Sequence, residues 1–405
     1  MPKATQSKWE KLTKSYQYVA VVMLSSLLLF VFVLIAGKTA LYIIGRFSEK
    51  TNPISIKYNV DLTILYPGMS QNEINQLLNE SWSGVVNQLT YEPLTGFRET
   101  PFEGDFINIT TSGFRKIKNQ AQWPPKPDEI NIFVFGGSTT FGYGVADWQT
   151  TPSYLQEILR ERNIKRKVNV YNFGRGAYVL TQELILFEKL LQSGHEPDIV
   201  VFLSGLNEFA LGQIIPYSGK YHFLIDLEKK PLTSAIISYA LNRMAIYVPK
   251  VSTLTEFLNL ENENTFYQGN RLYLYDDLER NKKVIDDYKV TKKLIESVAG
   301  DFNIQTLFVM QPIPTYKYNP RYNPFLLNDS SDFNFVKNVY SIADQLNKVE
   351  FFGYNFLWLG DMQENLSKSL YVDSIHYSPE MSELIARAIA ERIDITGVKA
   401  DAVRH

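Results

Sequence analysis

Apolar positions fall into three regimes along the chain. Residues 18–36 (YVAVVMLSSLLLFVFVLIA) form an uncharged run that is long enough, at about 1.5 Å per residue, to cross a bilayer as a helix. Residues 70–89 repeat apolar positions at helical spacing, with Ser70 placed to cap the first turn. From residue 130 onward, short and wholly apolar runs alternate with amphipathic ones. Strands are expected at 130–135, 167–171, 198–203, within 301–310 and near 356–359. Helices are expected over 152–162, 181–192, 286–299, 334–347 and 378–393. Strands that are apolar on both faces need cover on both faces. The pattern therefore predicts an α/β protein, a flavodoxin-like three-layer α/β/α sandwich on a parallel sheet, preceded by one N-terminal transmembrane helix.

The segments between these regimes are less regular. Residues 96–115 carry two tripeptides, Gly96-Phe97-Arg98 and Gly113-Phe114-Arg115, around a predicted strand and turn; three residues are too few to make a repeat. Asn108-Ile109-Thr110 is a formal glycosylation triplet, a pattern frequent by chance. Residues 121–129 (AQWPPKPDE) read as a proline-rich linker. Residues 209–285 break the strand–helix rhythm and are read as an insertion over the sheet's C-terminal edge, a candidate lid. The expected organisation is a tail at 1–17, an anchor at 18–45 and a juxtamembrane and pre-domain segment at 46–127. The main domain then covers 128–396, and a short tail covers 397–405.

Composition and charge narrow the chemistry. Lys3, Lys8, Lys11 and Lys14 precede the apolar run against a single Glu10, which places the N-terminus in the cytoplasm by the positive-inside rule. The main domain is then expected on the periplasmic or extracellular side. The run exceeds a usual signal-peptide core and no clear small-x-small cleavage site follows it, so an uncleaved anchor is the favoured reading. A net charge of −2 gives no pull toward nucleic acid. Aromatic residues make up 14% of the chain, which core packing explains more simply than a ligand groove. The absence of cysteine excludes disulfides, thiolate nucleophiles and cysteine-ligated metals. The four histidines are His195, His222, His376 and His405, so any imidazole base is one of these and a zinc site is disfavoured.

In open parallel sheets, reactive groups gather at the C-terminal strand ends. The first predicted strand runs into Gly136-Gly137-Ser138, the second into Asn172 to Tyr178 and the third into Gly205-Leu206-Asn207-Glu208. Val372-Asp373-Ser374-Ile375-His376 precedes the last helix. A serine nucleophile needs a base, and an imidazole base needs an orienting carboxylate. Ser138, His376 and Asp373 supply the three groups. A tetrahedral intermediate also needs donors for its oxyanion. Ser138, Gly176, Ala177 and Asn207 are the candidates. Arg175 and Glu208 flank the site, as candidate substrate contacts or as partners in local ion pairs.

Each piece has a plainer reading. A Gly-Gly-Ser turn also opens helices or cradles phosphate, but the P-loop pattern and the Gly-x-Ser-x-Gly elbow are both missing. Asn207 alone reads as a helix cap and Asp373 alone as a surface carboxylate. His195 lies in a polar turn, His222 in the insertion and His405 at the terminus, none beside a comparable carboxylate in sequence. Taken together the four blocks argue for catalysis.

Over roughly residues 130–395 the chain resembles the SGNH hydrolases, also called GDSL-like lipases and esterases. The resemblance rests on Gly136-Gly137-Ser138, the block opening at Asn172, Gly205-Leu206-Asn207 and Asp373-Ser374-Ile375-His376, in that order. The opening Gly-Phe-Arg segment and residues 136–144 are also similar to a membrane-attached or secreted bacterial subgroup. The resemblance implies a serine esterase without cofactor, acting on an acyl or acetyl ester of a cell-envelope glycan or lipid. Two positions depart from the family pattern. Gly137 stands where the family often has Asp, and either Gly176 or Ala177 occupies the place of the second block's oxyanion glycine. The same triad also suits an O-acyltransferase, and the frame also suits a non-enzymatic envelope scaffold or glycan-binding module. Acyl chain length and oligomeric state stay open.

Overall fold

The computed structural model describes residues 3–47, 61–86, 89–162, 165–211, 278–325 and 336–397. The chain divides into two units, Met1–Thr51 and Asn52–His405. The first unit is a helix, α1 (Lys3–Phe47). Its stretch Thr13–Gly37 contains a window of mean hydropathy 3.0 and is long and apolar enough to cross a membrane. Apolar side chains along it, including Leu24, Phe30 and Ile35, are exposed.

The second unit opens with α2 (Gln71–Asn79), entered through a reciprocal capping box between Ser70 and Glu73. The helix widens into a π-helical turn, Glu80–Val85. Helical spacing had suggested continuation to Leu89, but Leu89 begins a strand. There, β1 (Leu89–Glu92) pairs antiparallel with β2 (Gly96–Glu99), and the ladder hydrogen bonds to Gly96–Glu99 replace helical ones. A second short pair follows, β3 (Phe102–Glu103) and β4 (Asn108–Ile109). The amide of Asn108 donates to Asp147 Oδ2 at 3.0 Å and to the Gly104 carbonyl at 3.1 Å, so the glycosylation triplet is tied into the fold.

The central sheet then assembles as predicted. In chain order it comprises β5 (Ile130–Gly136), α3 (Ser138–Phe141), α4 (Thr151–Arg160) and β6 (Val168–Asn172). Next come α5 (Leu180–Gln192), β7 (Ile199–Ser204), α6 (Leu206–Leu211) and α7 (Leu278–Asp301). It closes with β8 (Gln305–Met310), α8 (Val336–Asn347), β9 (Phe356–Trp358) and α9 (Pro379–Arg392). The five strands are parallel in the order β6-β5-β7-β8-β9. The chain first moves from β5 out to β6, then crosses back to β7 on β5's other side. That reversal opens a crevice beyond the C-terminal ends of β5 and β7.

Alternation along each strand sorts the core into two layers. Ile132, Val134, Val201, Leu203, Leu307 and Val309 pack with residues of α4 and α9. Phe133, Phe135, Phe202 and Phe308 pack on the opposite face with residues of α5, α7 and α8. Register places Phe135 opposite Phe202, Phe202 opposite Phe308 and Phe308 opposite Phe356. The rings of Phe135, Phe202 and Phe308 therefore stack across the sheet, with Phe135–Phe202 at 5.0 Å and Phe202–Phe308 at 5.3 Å. Much of the chain's aromatic content thus serves packing.

Two boundaries move. Helix α7 begins at Leu278, so the expected insertion 209–285 ends in a helix that packs on the sheet, where Val284, Ile285 and Tyr288 are buried. At its start, residues 209–211 belong to α6; the rest of that expected insertion lies outside the described residues, as does the tail beyond residue 397. The pre-domain segment also contributes more than a connection. Leu62, Leu65, Tyr66, Ile74, Leu77 and Leu78 share a core cluster with Phe141, Tyr143, Val145 and Val372, which flank the catalytic candidates.

Candidate active site

Ser138 follows β5 after the single residue Gly137, which caps α3, and is the first residue of that helix. The preceding turn is too tight for a side chain at Gly136. Its φ is +154°, and a Cβ there would lie 2.4 Å from the Leu203 carbonyl oxygen. At Gly137 a Cβ would lie 2.5 Å from the Asn207 amide nitrogen. Glycine at 137 therefore lets Asn207 close onto the loop that carries Ser138.

His376 sits in the loop before α9, half-buried. Its Nε2 is 2.9 Å from Ser138 Oγ, and its Nδ1 is 2.7 Å from Asp373 Oδ2. The carboxylate is locked in turn, since Asp373 Oδ1 accepts the backbone N–H groups of Ile375 and His376 at 2.7 and 2.6 Å. Burial alone would raise the Asp373 pKa. The adjacent imidazole and these hydrogen bonds outweigh it and hold the carboxyl below its ordinary value of 3.8. An ionised Asp373 favours the tautomer with hydrogen on Nδ1, which leaves Nε2 as an acceptor for the serine hydroxyl. The imidazole is walled by Trp82 and Tyr143, with ring centroids at 5.4 and 5.6 Å.

The candidate oxyanion residues differ in what their N–H groups already bond. Asn207 stands on α6, and its Nδ2 donates one hydrogen to the Tyr178 carbonyl at 2.7 Å, leaving a second for a ligand. As the first residue of α3, Ser138 carries a backbone N–H with no intrahelical partner. The two readings of the second block separate. Gly176 N–H is already taken, donating to Glu99 Oε1 at 2.7 Å. Ala177 adopts the left-handed conformation, φ +57°, and its N–H has no hydrogen-bond partner among the described residues.

Arg175 and Glu208 are placed otherwise than substrate contacts require. Arg175 is buried and faces Glu99, with its Nη1 3.6 Å from Oε2. Glu208 is buried and spends both oxygens on backbone amides, Leu180 N–H at 2.6 Å and Gly205 N–H at 2.6 Å. It thereby staples the loop after β6 to the loop after β7. Burial pushes the Glu208 pKa up from 4.5 to about 7, against the pull of those amides. Nearby Glu183, buried without a hydrogen-bond partner among the described residues, is also raised by burial and by Glu208.

A raised carboxylate keeps, in the folded state, a proton that the unfolded chain has lost. Stability therefore falls as pH rises from the ordinary value of 4.5 to about 7, by about 3 kcal/mol from Glu208. Glu208→Gln has no such titration, so its unfolding free energy is expected to decline less over that window. Denaturant melts at pH 4.5 and 7.5 measure this, and an unchanged pH slope would refute the assignment.

Several residues at the site escaped sequence reasoning. Arg115 is fully buried and donates to Asp147 at 2.9 Å and to the carbonyls of Phe141, Gly142 and Val145 at 3.0, 2.5 and 2.6 Å. It clamps the turn that follows Ser138. The Gly-Phe-Arg tripeptide was visible in the sequence, but its partner turn was not. Glu99, Tyr143 and Trp82 carried no local signal. His195 packs edge-on against Trp123 at 4.5 Å, away from the triad, while His222 and His405 lie outside the described residues.

No protein-family model and no curated protein matches the chain. Among solved structures it is similar to a lipase/acylhydrolase from Enterococcus faecalis, with 14% identity over 65% of this chain and 95% of that one, at a TM-score of 0.35. It is also similar to a member of the lipolytic G-D-S-L family from Veillonella parvula, with 10% identity over 65% of this chain and 97% of that one, at 0.34. A catalytic mutant of an acetylxylan esterase from Geobacillus stearothermophilus gives 12% identity over 68% of this chain and 97% of that one, also at 0.34. Likenesses at this level carry no weight beside the chain's own geometry.

Proposed function

We propose that this protein is a serine esterase that hydrolyses acyl or acetyl esters of a cell-envelope glycan or lipid, held at the membrane by α1. The observation that carries this reading is the Ser138–His376–Asp373 relay, with links of 2.9 and 2.7 Å at the mouth of the sheet's crevice. Ser138 Oγ attacks the ester carbonyl carbon as its proton passes to His376 Nε2. Asp373 stabilises the resulting imidazolium without taking the proton. The oxyanion is received by the N–H groups of Ser138 and Ala177 and by the Asn207 amide. Collapse breaks the ester C–O bond, and His376 protonates the departing alcohol. Water, deprotonated by the same imidazole, then releases the acid and restores Ser138.

The envelope location rests on Lys3, Lys8, Lys11 and Lys14 before the apolar stretch, which favour an N-terminus inside and the second unit outside. A membrane-impermeant fluorophosphonate tests both parts. In right-side-out vesicles it should form an Oγ–P bond at Ser138 with loss of fluoride. Absence of labelling even after permeabilisation would overturn the hydrolase reading. Labelling only after permeabilisation would overturn the topology.

A further inference from the structure

The second unit holds a buried carboxylate that the triad does not use. Glu99 ends β2, outside the central sheet, and is fully buried. Its Oε1 accepts two hydrogen bonds, from Gly176 N–H at 2.7 Å and from the Tyr143 hydroxyl at 2.8 Å. Its Oε2 lies 3.6 Å from Arg175 Nη1. Tyr143 is the residue whose ring walls His376 at 5.6 Å. On the far side, Tyr178 receives the Asn207 amide beside Gly137. Ala177 is therefore spanned by two fixed points. Gly176 is tied toward the base through Glu99 and Tyr143, and Tyr178 is tied toward Asn207.

We propose that Glu99 is a positioning residue for the oxyanion site: by holding the Gly176 amide, it turns that N–H away from substrate and presents the N–H of Ala177. The inference rests on the esterase reading. Its physical basis is a count of donors. Each peptide carries one N–H, and the one on Gly176 is spent on Glu99. A left-handed alanine is also unfavourable, so the φ of +57° at Ala177 persists only where neighbours impose it. The hydrogen bond that Gly176 N–H donates to Glu99 is one such restraint, and the hold on Tyr178 is the other. A strand from the pre-domain segment thus sets the geometry of the loop after β6.

The test uses the full-length protein and the variants Glu99→Ala, Glu99→Gln and Glu99→Met/Arg175→Met. The double variant removes both buried charges, so it keeps the test available if Glu99→Ala does not fold. Loss of the restraint should lower kcat for p-nitrophenyl acetate by about 10²-fold, with little change in KM, because the oxyanion donor matters in the transition state. Glu99→Gln keeps an oxygen at Oε1 and should retain most of kcat. A merely structural role would lower the melting temperature but leave kcat of the folded protein unchanged, and that result would overturn the proposal. Amide hydrogen exchange supplies a readout that needs no turnover. Gly176 should be protected in the wild type and in Glu99→Gln, and exposed in the other two. Unchanged protection at Gly176 would also overturn the proposal. If the wild type shows no turnover while Gly176 exchanges as expected, the esterase reading fails and the Glu99 restraint stands as structural only.

Discussion

Replacing Ser138 by alanine is expected to lower kcat for p-nitrophenyl acetate by about 10⁴- to 10⁶-fold, leaving the fold intact. The size follows from what the hydroxyl does. Without Oγ there is no acyl-enzyme, and only the oxyanion donors and binding energy act on the direct attack of water. The fold should survive because Ser138 is half-buried and its side chain bonds His376 Nε2 at 2.9 Å. Asp373→Asn should approach the same loss, about 10⁴-fold, because an amide can donate to Nδ1 and favour the wrong tautomer. Steady-state kinetics beside a thermal melt decide the matter. Wild-type turnover by a folded Ser138→Ala protein would remove Ser138 from the mechanism.

Replacing Arg115 by methionine is expected to cost about 3–5 kcal/mol of stability, the range for breaking a buried ion pair from one side. Arg115 is fully buried and Asp147 nearly so, and burial lowers the pKa of Arg115 and raises that of Asp147. Desolvation thus outweighs their attraction, so the pair gains little as a pair but loses much when one charge is left alone. The carbonyls of Phe141, Gly142 and Val145 would lose the guanidinium's hydrogen bonds as well, though Phe141 keeps Asn172 Nδ2 and Gly142 keeps Val145 N–H. Arg115→Met/Asp147→Leu should recover part of the loss by removing the stranded carboxylate, though not the part due to those carbonyls. Urea denaturation of the two variants separates these contributions, and a near-neutral Arg115→Met would show that the clamp is dispensable. The turn between Phe141 and Val145 includes Tyr143, which packs against His376, so a loosened clamp should also reduce kcat in the folded fraction.

The sheet was legible in the sequence because each strand is apolar along its length, and only a doubly covered parallel sheet satisfies such runs. The helices between them showed their own period, and Ser70 announced itself as a cap. Ser138, Asn207, Asp373 and His376 were legible for a different reason. They sit where strands or loops meet helices, so their local sequence carries both the chemistry and the turn. The end of α2 was misplaced because Leu89 fits the helical period locally, and only its pairing with Glu99 makes it a strand residue.

What tertiary structure alone decided is the set of contacts between segments far apart in the chain. Gly176 and Ala177 are equivalent as sequence, since either offers an N–H. Glu99, contributed by another segment, occupies one and leaves the other. Glu208 looked like a flanking charge until the fold buried it against two backbone amides, and Arg115 looked like half of a doubtful repeat until four acceptors closed around it. Periodicity and turn chemistry are local properties, so the sequence determined the elements and the candidate triad. Hydrogen-bond partners, burial and their pKa consequences arise only when the elements pack, so which of the Gly176 and Ala177 amides is already bonded was decided there.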